Sequence, residues 1–423
     1  MEVSLNRGSW GELFFEVPER NLHYVVDRVK APALEDLEDE IRRGLESPIG
    51  SPPLREMVDA GSRVLLVCDD ITRPTPQRLI LPTLLDEFNK VGVRDEDMKV
   101  IIALGTHRDM NEKEILERFG REVVDRVPVI NHDYRNPDNL VNLGRTESGI
   151  PIIVNREVVE ADFVVTVGNI VPHCYAGWGG GGKMIQPGVC GEETTAATHV
   201  MAGKIRPLTV ISGNLDNPVR KAIDDVAIKA GLKMIVNTIL NEDDEVSGLF
   251  IGHPLEAFKE GVKMAEKVYC PKVPGEAEIT VVSSYPADID YWQAHKALIL
   301  ASLGTKAGGT IILVTPCPEG IARQHPIVRE RARFKFEENL QAIEEGALED
   351  LIGAGMVLLH NQVMERNRVV CVSEYLSQED KSDLGFEHAE TVEEALSIAL
   401  KRHGVNSKVG VLRCGEILPK IER

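Results

Sequence analysis

Long apolar runs are absent from this 423-residue chain: none approaches the roughly 18 residues of a membrane-spanning helix, and its apolar segments are short and end in polar turns, as strands do. Basic charge is in deficit. Lys and Arg number 48 against 67 Asp and Glu, a formal net charge of -19, which excludes a general affinity for nucleic acid or an anionic membrane; an anionic substrate would need local Arg, Lys or metal. The seven cysteines (Cys68, Cys174, Cys190, Cys270, Cys317, Cys371 and Cys414) are scattered, odd in number and without a C-x-x-C pair, which fits reduced thiols. The opening MEVSLNRGSWGELFFEVPER lacks the basic stretch and apolar core of a signal peptide, so a cytoplasmic location is expected. Also missing are H-E-x-x-H, H-x-H, G-x-S-x-G and a cysteine quartet, so a metal would need another source of ligands.

What is present is an ordinary globular composition, 43% hydrophobic and 27% charged, in a chain long enough for two or three domains. Short β-branched runs alternate with amphipathic helical stretches, the pattern of α/β folds with mostly parallel sheets. RVLLVCDD (63–70), KVIIALGTH (99–107) and ADFVVTVGN (161–169) read as strands, and PQRLILPTLLDEFNKVG as a helix ending at Gly92. A second unit runs from EITVVSSYPADID (278–290) through the helix YWQAHKALILASLG to the strand GTIILVTP (309–316), and RVVCVSE, TVEEALSIALKRHG and KVGVLRCG repeat the alternation. The Pro-, Gly- and charge-rich segment CPKVPGEAE (270–278) marks a boundary. Two α/β domains are expected, over 1–272 and 273–423, with the final strand free to join either sheet.

In open α/β sheets ligands bind beyond the carboxyl ends of the strands, and those positions are loaded here. DDITRPTP supplies Asp70, Thr72 and Arg73, GTHR supplies His107, and GNIVPHCYAGWGGGGKMIQPGVCG supplies His173, the glycines and Lys183. GEETTAATHVMAGK carries His199, and YWQAHK in the second domain carries Trp292, Gln293, His295 and Lys296. Each motif alone has a bland reading as a cap, a surface ion pair or a satisfied histidine. Five at one topological position, drawn from both domains, point to an active site in the interdomain cleft.

Gly177 to Lys183 even satisfies G-x-x-x-x-G-K, yet Met184 stands where a P-loop needs a Ser or Thr for Mg²⁺. Ten residues separate the strand from the glycines, and Pro187 breaks any following helix. The loop is therefore a cradle whose lysine could serve as a covalent anchor or a Schiff-base residue. An ATP-dependent enzyme and a non-catalytic nucleotide- or phosphate-binding protein are the rival readings.

Taken in order, SPIGSPPLREM, DDITRPTP, GTHR, PHCYAGWGGGGKMIQPG, the helix ending ATH, YWQAHK and KVGVLRCGEI resemble the nickel-dependent lactate racemase family of 2-hydroxyacid racemases and epimerases over nearly the whole length. The resemblance implies nickel and a pincer cofactor, the nickel pyridinium-3,5-bisthiocarboxylic acid mononucleotide. It also implies a thioamide tether on Lys183, a nickel ligand in His199, and contacts from Gly179, Gly180, Gly181, Gly182, Asp70, Thr72, Trp292 and Gln293. The glycines would then let the backbone wrap the nucleotide. One histidine suffices if the organic group fills the other three positions of a roughly planar Ni(II) site.

The implied reaction is hydride removal from the α-carbon, with His107 and His173 as the acid/base pair and Arg73 and Lys296 holding the carboxylate. Separate carboxylation, sulfur-insertion and nickel-insertion enzymes are the implied maturation partners. Lactate-specific members have Tyr where this chain has Trp292, an aromatic where it reads GAGMVLLH (353–360), and a basic residue where it has Gly182. A 2-hydroxy acid that is larger, or bears a second polar group, is therefore compatible with the pocket. His295, beside Lys296, is read as a polar contact for such a substrate or, in preference, as a surface residue of its helix.

Overall fold

The computed structural model describes residues 1–422. Two six-stranded sheets carry the fold. In the first the order is Val246–Gly252, Leu232–Leu240, Phe163–Asn169, Val64–Cys68, Met98–Ile102, Val129–Asn131, parallel except for the antiparallel Val246–Gly252 edge. Val64–Cys68 and Phe163–Asn169 are buried along their whole length, which is why they read as unbroken apolar runs rather than alternating ones. The chain steps from Val64–Cys68 outward through Met98–Ile102 to Val129–Asn131, then returns to the opposite side with Phe163–Asn169. That reversal opens a crevice beyond the carboxyl ends of the two central strands.

The second sheet runs Glu387–Ala389, Arg368–Val372, Thr305–Val314, Ala277–Ser283, Val409–Leu412, Leu22–Val26, parallel throughout. Its last member departs from the division expected at residues 272 and 273, because the chain's first residues build onto the second sheet. Their hairpin, Glu2–Asn6 with Glu12–Glu16, buries Leu5, Phe15 and Val17 in one core with Ile279, Val281 and Val411. The KVGVLRCG strand stays in this sheet, and Lys420–Ile421 pairs with Lys272–Val273 at the crossing between domains. The other crossing lies alongside, where the Val29 N–H donates to the Val268 carbonyl at 2.7 Å.

Across the cleft, helix Leu351–Arg366 of the second domain packs on helix Glu192–Lys204 of the first through two glycines. A Cβ at Gly355 would lie 2.5 Å from the His199 carbonyl carbon, and one at Gly203 would lie 2.7 Å from the Gly355 carbonyl oxygen. Only bare backbone permits so close a crossing. No helix among the described residues is long and apolar enough to cross a membrane, and all seven cysteines are buried and free.

Candidate active site

After the Val64–Cys68 strand two aspartates face different ways. Asp69 is a structural anchor: it accepts from Thr75 Oγ1 at 2.5 Å and Gln77 Nε2 at 2.8 Å, and pairs with Arg118. Asp70 accepts from the Thr72 N–H at 3.1 Å and from Thr72 Oγ1 at 2.5 Å, and its other oxygen meets His107 Nδ1 at 2.5 Å. Burial pushes the Asp70 carboxyl up, but His107, Arg73 and Thr72 outweigh it and hold the group below the usual carboxylate range. Thr72 then takes the Arg73 Nη1 donor on its carbonyl at 2.9 Å and its hydroxyl at 3.0 Å. Asp70 and Thr72 thus set His107 and Arg73.

His107 follows the Met98–Ile102 strand in a turn closed by its N–H on the Leu104 carbonyl at 2.9 Å. With Nδ1–H committed to Asp70, the Nε2 lone pair is free to accept, and Gln293 Nε2 reaches it at 2.6 Å from the second domain. The Gln293 carbonyl oxygen in turn accepts from Lys296 and lies 3.5 Å from Arg73 Nη1. Gln293 is therefore the hub joining both cations to the histidine. Burial lowers the His107 pKa, Lys296 and Arg73 lower it further, and Asp70 opposes them.

The glycine loop begins with a two-residue hairpin, Pro172–His173 with Gly177–Trp178, and ends in the 3-10 helix Gly181–Met184. Gly177 and Gly180 both have φ of 78°, and a Cβ on Gly180 would lie 2.7 Å from the Asn169 carbonyl oxygen. Arg220 stacks 3.8 Å over Phe258 and donates to the Trp178 and Gly180 carbonyls at 3.2 Å each. A Cβ on Gly181 or Gly182 would meet Phe258 or Ala227. The glycines are thus demanded mainly by the packing beneath the loop. Gly179 and Gly180 line the cavity, whereas Gly181 and Gly182 are absent from its lining.

One cavity lies between the domains, and its walls come from both. His173 is fully enclosed; its Nδ1 accepts the Tyr175 N–H at 3.4 Å, and Nε2 has no protein partner. Burial, then Lys183 and Lys296, hold the His173 pKa well below its ordinary value. Lys183, buried beside Arg73 and 5.3 Å above the Tyr175 ring, is pushed down to about 7, so its amine is largely neutral and nucleophilic just above that pH. His199 donates from Nδ1 to the Thr195 carbonyl at 2.9 Å, which leaves Nε2 as a ligand lone pair, and burial lowers its pKa to about 3. No group of three His, Cys, Asp or Glu side chains among the described residues is arranged to hold a metal, so a metal here must draw most of its ligands from a bound group. One imidazole pinned through Nδ1, the two lysines Lys183 and Lys296, both with pKa values lowered by burial, and Arg73 line this one cavity, a donor set that fits a tethered, anionic metal-bearing group.

Trp292 lies between two imidazoles, stacked on His325 at 4.3 Å and on His199 at 6.2 Å. The surface reading of His295 is overturned: it lines the cavity, donates from Nδ1 to the Trp292 carbonyl at 2.6 Å and is only 4% exposed, because the helix Tyr291–Ser302 is enclosed on all sides. His107, His173, Arg73, Lys296, Lys183, His199, Trp292, Gly179, Gly180 and Asp70 all line this cavity. Thr72 and Gln293 line the adjoining one, which shares His107 and Trp292 with it. Sequence reasoning missed His325 and Tyr175, of which only Tyr175, inside a singled-out motif, offered a signal; the apolar wall of Met356 and Leu359 falls within GAGMVLLH, the stretch already read as bearing on the pocket.

Two family models match the chain: the lactate racemase N-terminal domain over residues 9–207 and the lactate racemase C-terminal domain over 270–417. Among known proteins it is similar to the lactate racemase of Thermoanaerobacterium thermosaccharolyticum, 28% identical over 96% of each chain. It is likewise similar to that of Lactiplantibacillus plantarum, 28% identical over 89% of each chain. The structure of the T. thermosaccharolyticum lactate racemase apoprotein superposes with a TM-score of 0.87 at 26% identity, covering both chains fully. A Thermotoga maritima crystal structure shares the fold, with a TM-score of 0.73 at 20% identity over 93% of this chain and all of that one.

Proposed function

Since the chain belongs to the lactate racemase family and is thereby an isomerase, we propose that it racemises or epimerises a 2-hydroxy acid, lactate or a larger relative, using a nickel pincer cofactor. The observation that carries this reading is one cavity lined by His107 and His173, by Lys183 with its pKa lowered to about 7, and by a third histidine, His199, with a free Nε2. Lys183 would hold the cofactor as a thioamide and His199 Nε2 would ligate its nickel. When bound, that group supplies a reversible hydride acceptor for the substrate's α-carbon.

The protein's own residues supply the rest. Arg73 and Lys296 hold the substrate carboxylate, and Gln293, bonded to both cations and to His107, keeps carboxylate and base in register. His107, fixed in the Nδ1–H tautomer by Asp70, takes the hydroxyl proton of one hand of substrate on Nε2 once that hydroxyl replaces the Gln293 amide there. His173, whose Nε2 meets no protein partner among the described residues, would serve the opposite hand from the glycine-loop side: as the imidazolium it gives the product alkoxide its proton, and it regains one from the hydroxyl of a substrate of that hand or from solvent. Two histidines are needed because the planar keto acid must be served on both faces. His173, Gln293 and Trp292 are buried and Arg73, His107, Lys183 and Lys296 are only partly exposed, which limits the access of water to the keto acid. Met356, Leu359 and Trp292 form an apolar wall suited to a side chain larger than methyl.

Intact-protein mass spectrometry with nickel analysis, on protein co-expressed with the maturation enzymes, tests this reading. Added mass on Lys183 with about one nickel per chain supports it, and a screen of 2-hydroxy acids then finds the substrate. Neither mass nor nickel, beside an active control racemase from the same host, would favour a binding protein without catalysis.

A further inference from the structure

We propose that Arg108 is a positioning residue for His107, and that Thr106, His107 and Arg108 form a clasp through which the second domain completes the acid/base site. The three consecutive residues each reach a different residue of the other domain. Thr106 Oγ1 meets His325 Nε2 at 3.0 Å, His107 Nε2 meets Gln293 Nε2 at 2.6 Å, and Arg108 Nη2 meets Glu319 Oε1 at 2.7 Å. No other segment described above makes three successive polar contacts across the cleft.

Arg108 is built for this. One edge of its guanidinium binds Glu114 of its own domain, Nη1 at 2.9 Å and Nη2 at 2.7 Å. Glu114 is itself fixed, since it closes the capping box of helix Glu112–Phe119 with Asn111. The other edge binds Glu319, with Nε at 2.9 and 3.1 Å from the two carboxylate oxygens. A rigid fork thus joins a braced carboxylate on one domain to a carboxylate on the other. Among the described residues Glu319 has Arg108 as its only side-chain partner, and it is fixed through its backbone, whose N–H donates to the Ile289 carbonyl at 2.9 Å, next to the Asp290 that caps the helix bearing Gln293. Holding Glu319 therefore holds Gln293 where His107 needs it. Side-chain exposures of 34% for Arg108 and 24% for Glu319 leave the pair partly desolvated, so it is stronger than an open surface pair.

Arg108 touches neither substrate nor cofactor in this arrangement, so its effect passes through the domain position. This inference rests on the acid/base reading of His107. The test compares wild type with Glu319→Ala, Arg108→Ala, Arg108→Lys and the double alanine variant. Racemisation kinetics, intact mass and melting temperature are measured on the loaded enzyme, and small-angle scattering on the cofactor-free protein. Expected are kcat losses of about five- to tenfold in each alanine variant with KM within about threefold. The double variant should be no worse than the single ones, Arg108→Lys should recover partly, and the radius of gyration should rise when the pair is removed. Wild-type kcat in Glu319→Ala, additive losses, or a fall in kcat with an unchanged scattering curve would each overturn the clasp. A loaded wild type that turns over no 2-hydroxy acid would instead defeat the racemase reading, and the scattering comparison would still decide whether the clasp holds the domains.

Discussion

Replacing Gly355 by Ala inserts one methyl group where helix Leu351–Arg366 crosses the helix that bears His199. The new Cβ would lie 2.5 Å from the His199 carbonyl carbon, 2.6 Å from its oxygen and 2.9 Å from the Val200 nitrogen, against 3.4 Å for ordinary contact. The obstacles are backbone atoms, so no rotamer change relieves them, and the helices must separate by about 1 Å locally. Overpacking of this kind costs ~1–3 kcal/mol. In a domain of this size that lowers the melting temperature by roughly 2–10 °C. The displaced segment is the turn that aims His199 Nε2, and a 1 Å misplacement at a reacting centre can cost ~10²-fold in rate. Calorimetry, nickel content and kcat on the same preparation separate the two effects. Gly203→Ala is the control: it overpacks the same crossing, 2.7 Å from the Gly355 carbonyl oxygen and one turn past His199, and should cost similar stability but less kcat. A Gly355→Ala protein with wild-type melting temperature and kcat would refute the argument that this crossing sets the histidine.

His107→Asn and His173→Asn should each lower kcat by ~10²–10⁴-fold with the mass on Lys183 unchanged, and full activity in either would sink the two-base assignment. On lactate, whose hands are equal in free energy, kcat/KM must fall equally in both directions. Lys183→Ala should load no tethered mass. Because burial holds Lys183 near a pKa of about 7, tethering followed by intact mass should quicken between pH 6 and pH 7 and level off above pH 8, whereas a flat profile would count against a neutral-amine nucleophile. Asp70 raises the His107 pKa against burial, so Asp70→Asn should lower that pKa further and move the acid limb of kcat/KM to lower pH, with a fall in kcat from the lost tautomer. An acid limb that moves upward would contradict the pairing.

Much of the first sheet could be read from local pattern, because Val64–Cys68, Met98–Ile102 and Phe163–Asn169 are buried runs bounded by polar turns that hold Asp70, His107 and His173. The position of the chemistry followed from the switch point that such strands create. Four features were not legible, each for a tertiary reason. Leu22–Val26 finds its partner in Val409–Leu412, a pairing no local signal announces. His295 sits on a helix enclosed on every side, so its burial comes from neighbours distant in the chain. His325 gains its place by stacking on Trp292 and bonding to Thr106 across the cleft. The run of glycines suggested close approach to a ligand, yet Phe258, Ala227 and Asn169 are what a side chain there would strike.

The pairing of Leu22–Val26 with Val409–Leu412 also has a consequence for biogenesis. One of the first strands made waits for nearly the last. At ~5–20 residues per second, synthesis of the intervening chain takes on the order of 20–80 s. Until Ile279 is made, Leu5, Phe15 and Val17 have none of the second-sheet residues they are buried against in the finished molecule, and Val409 and Val411 complete that core only at the end. The first domain can condense meanwhile, while the nascent amino-terminal hairpin is an open edge available to chaperones or to a neighbouring chain. Expression yield should therefore be governed less by the catalytic domain than by how well that hairpin is shielded until the ribosome releases the carboxy terminus.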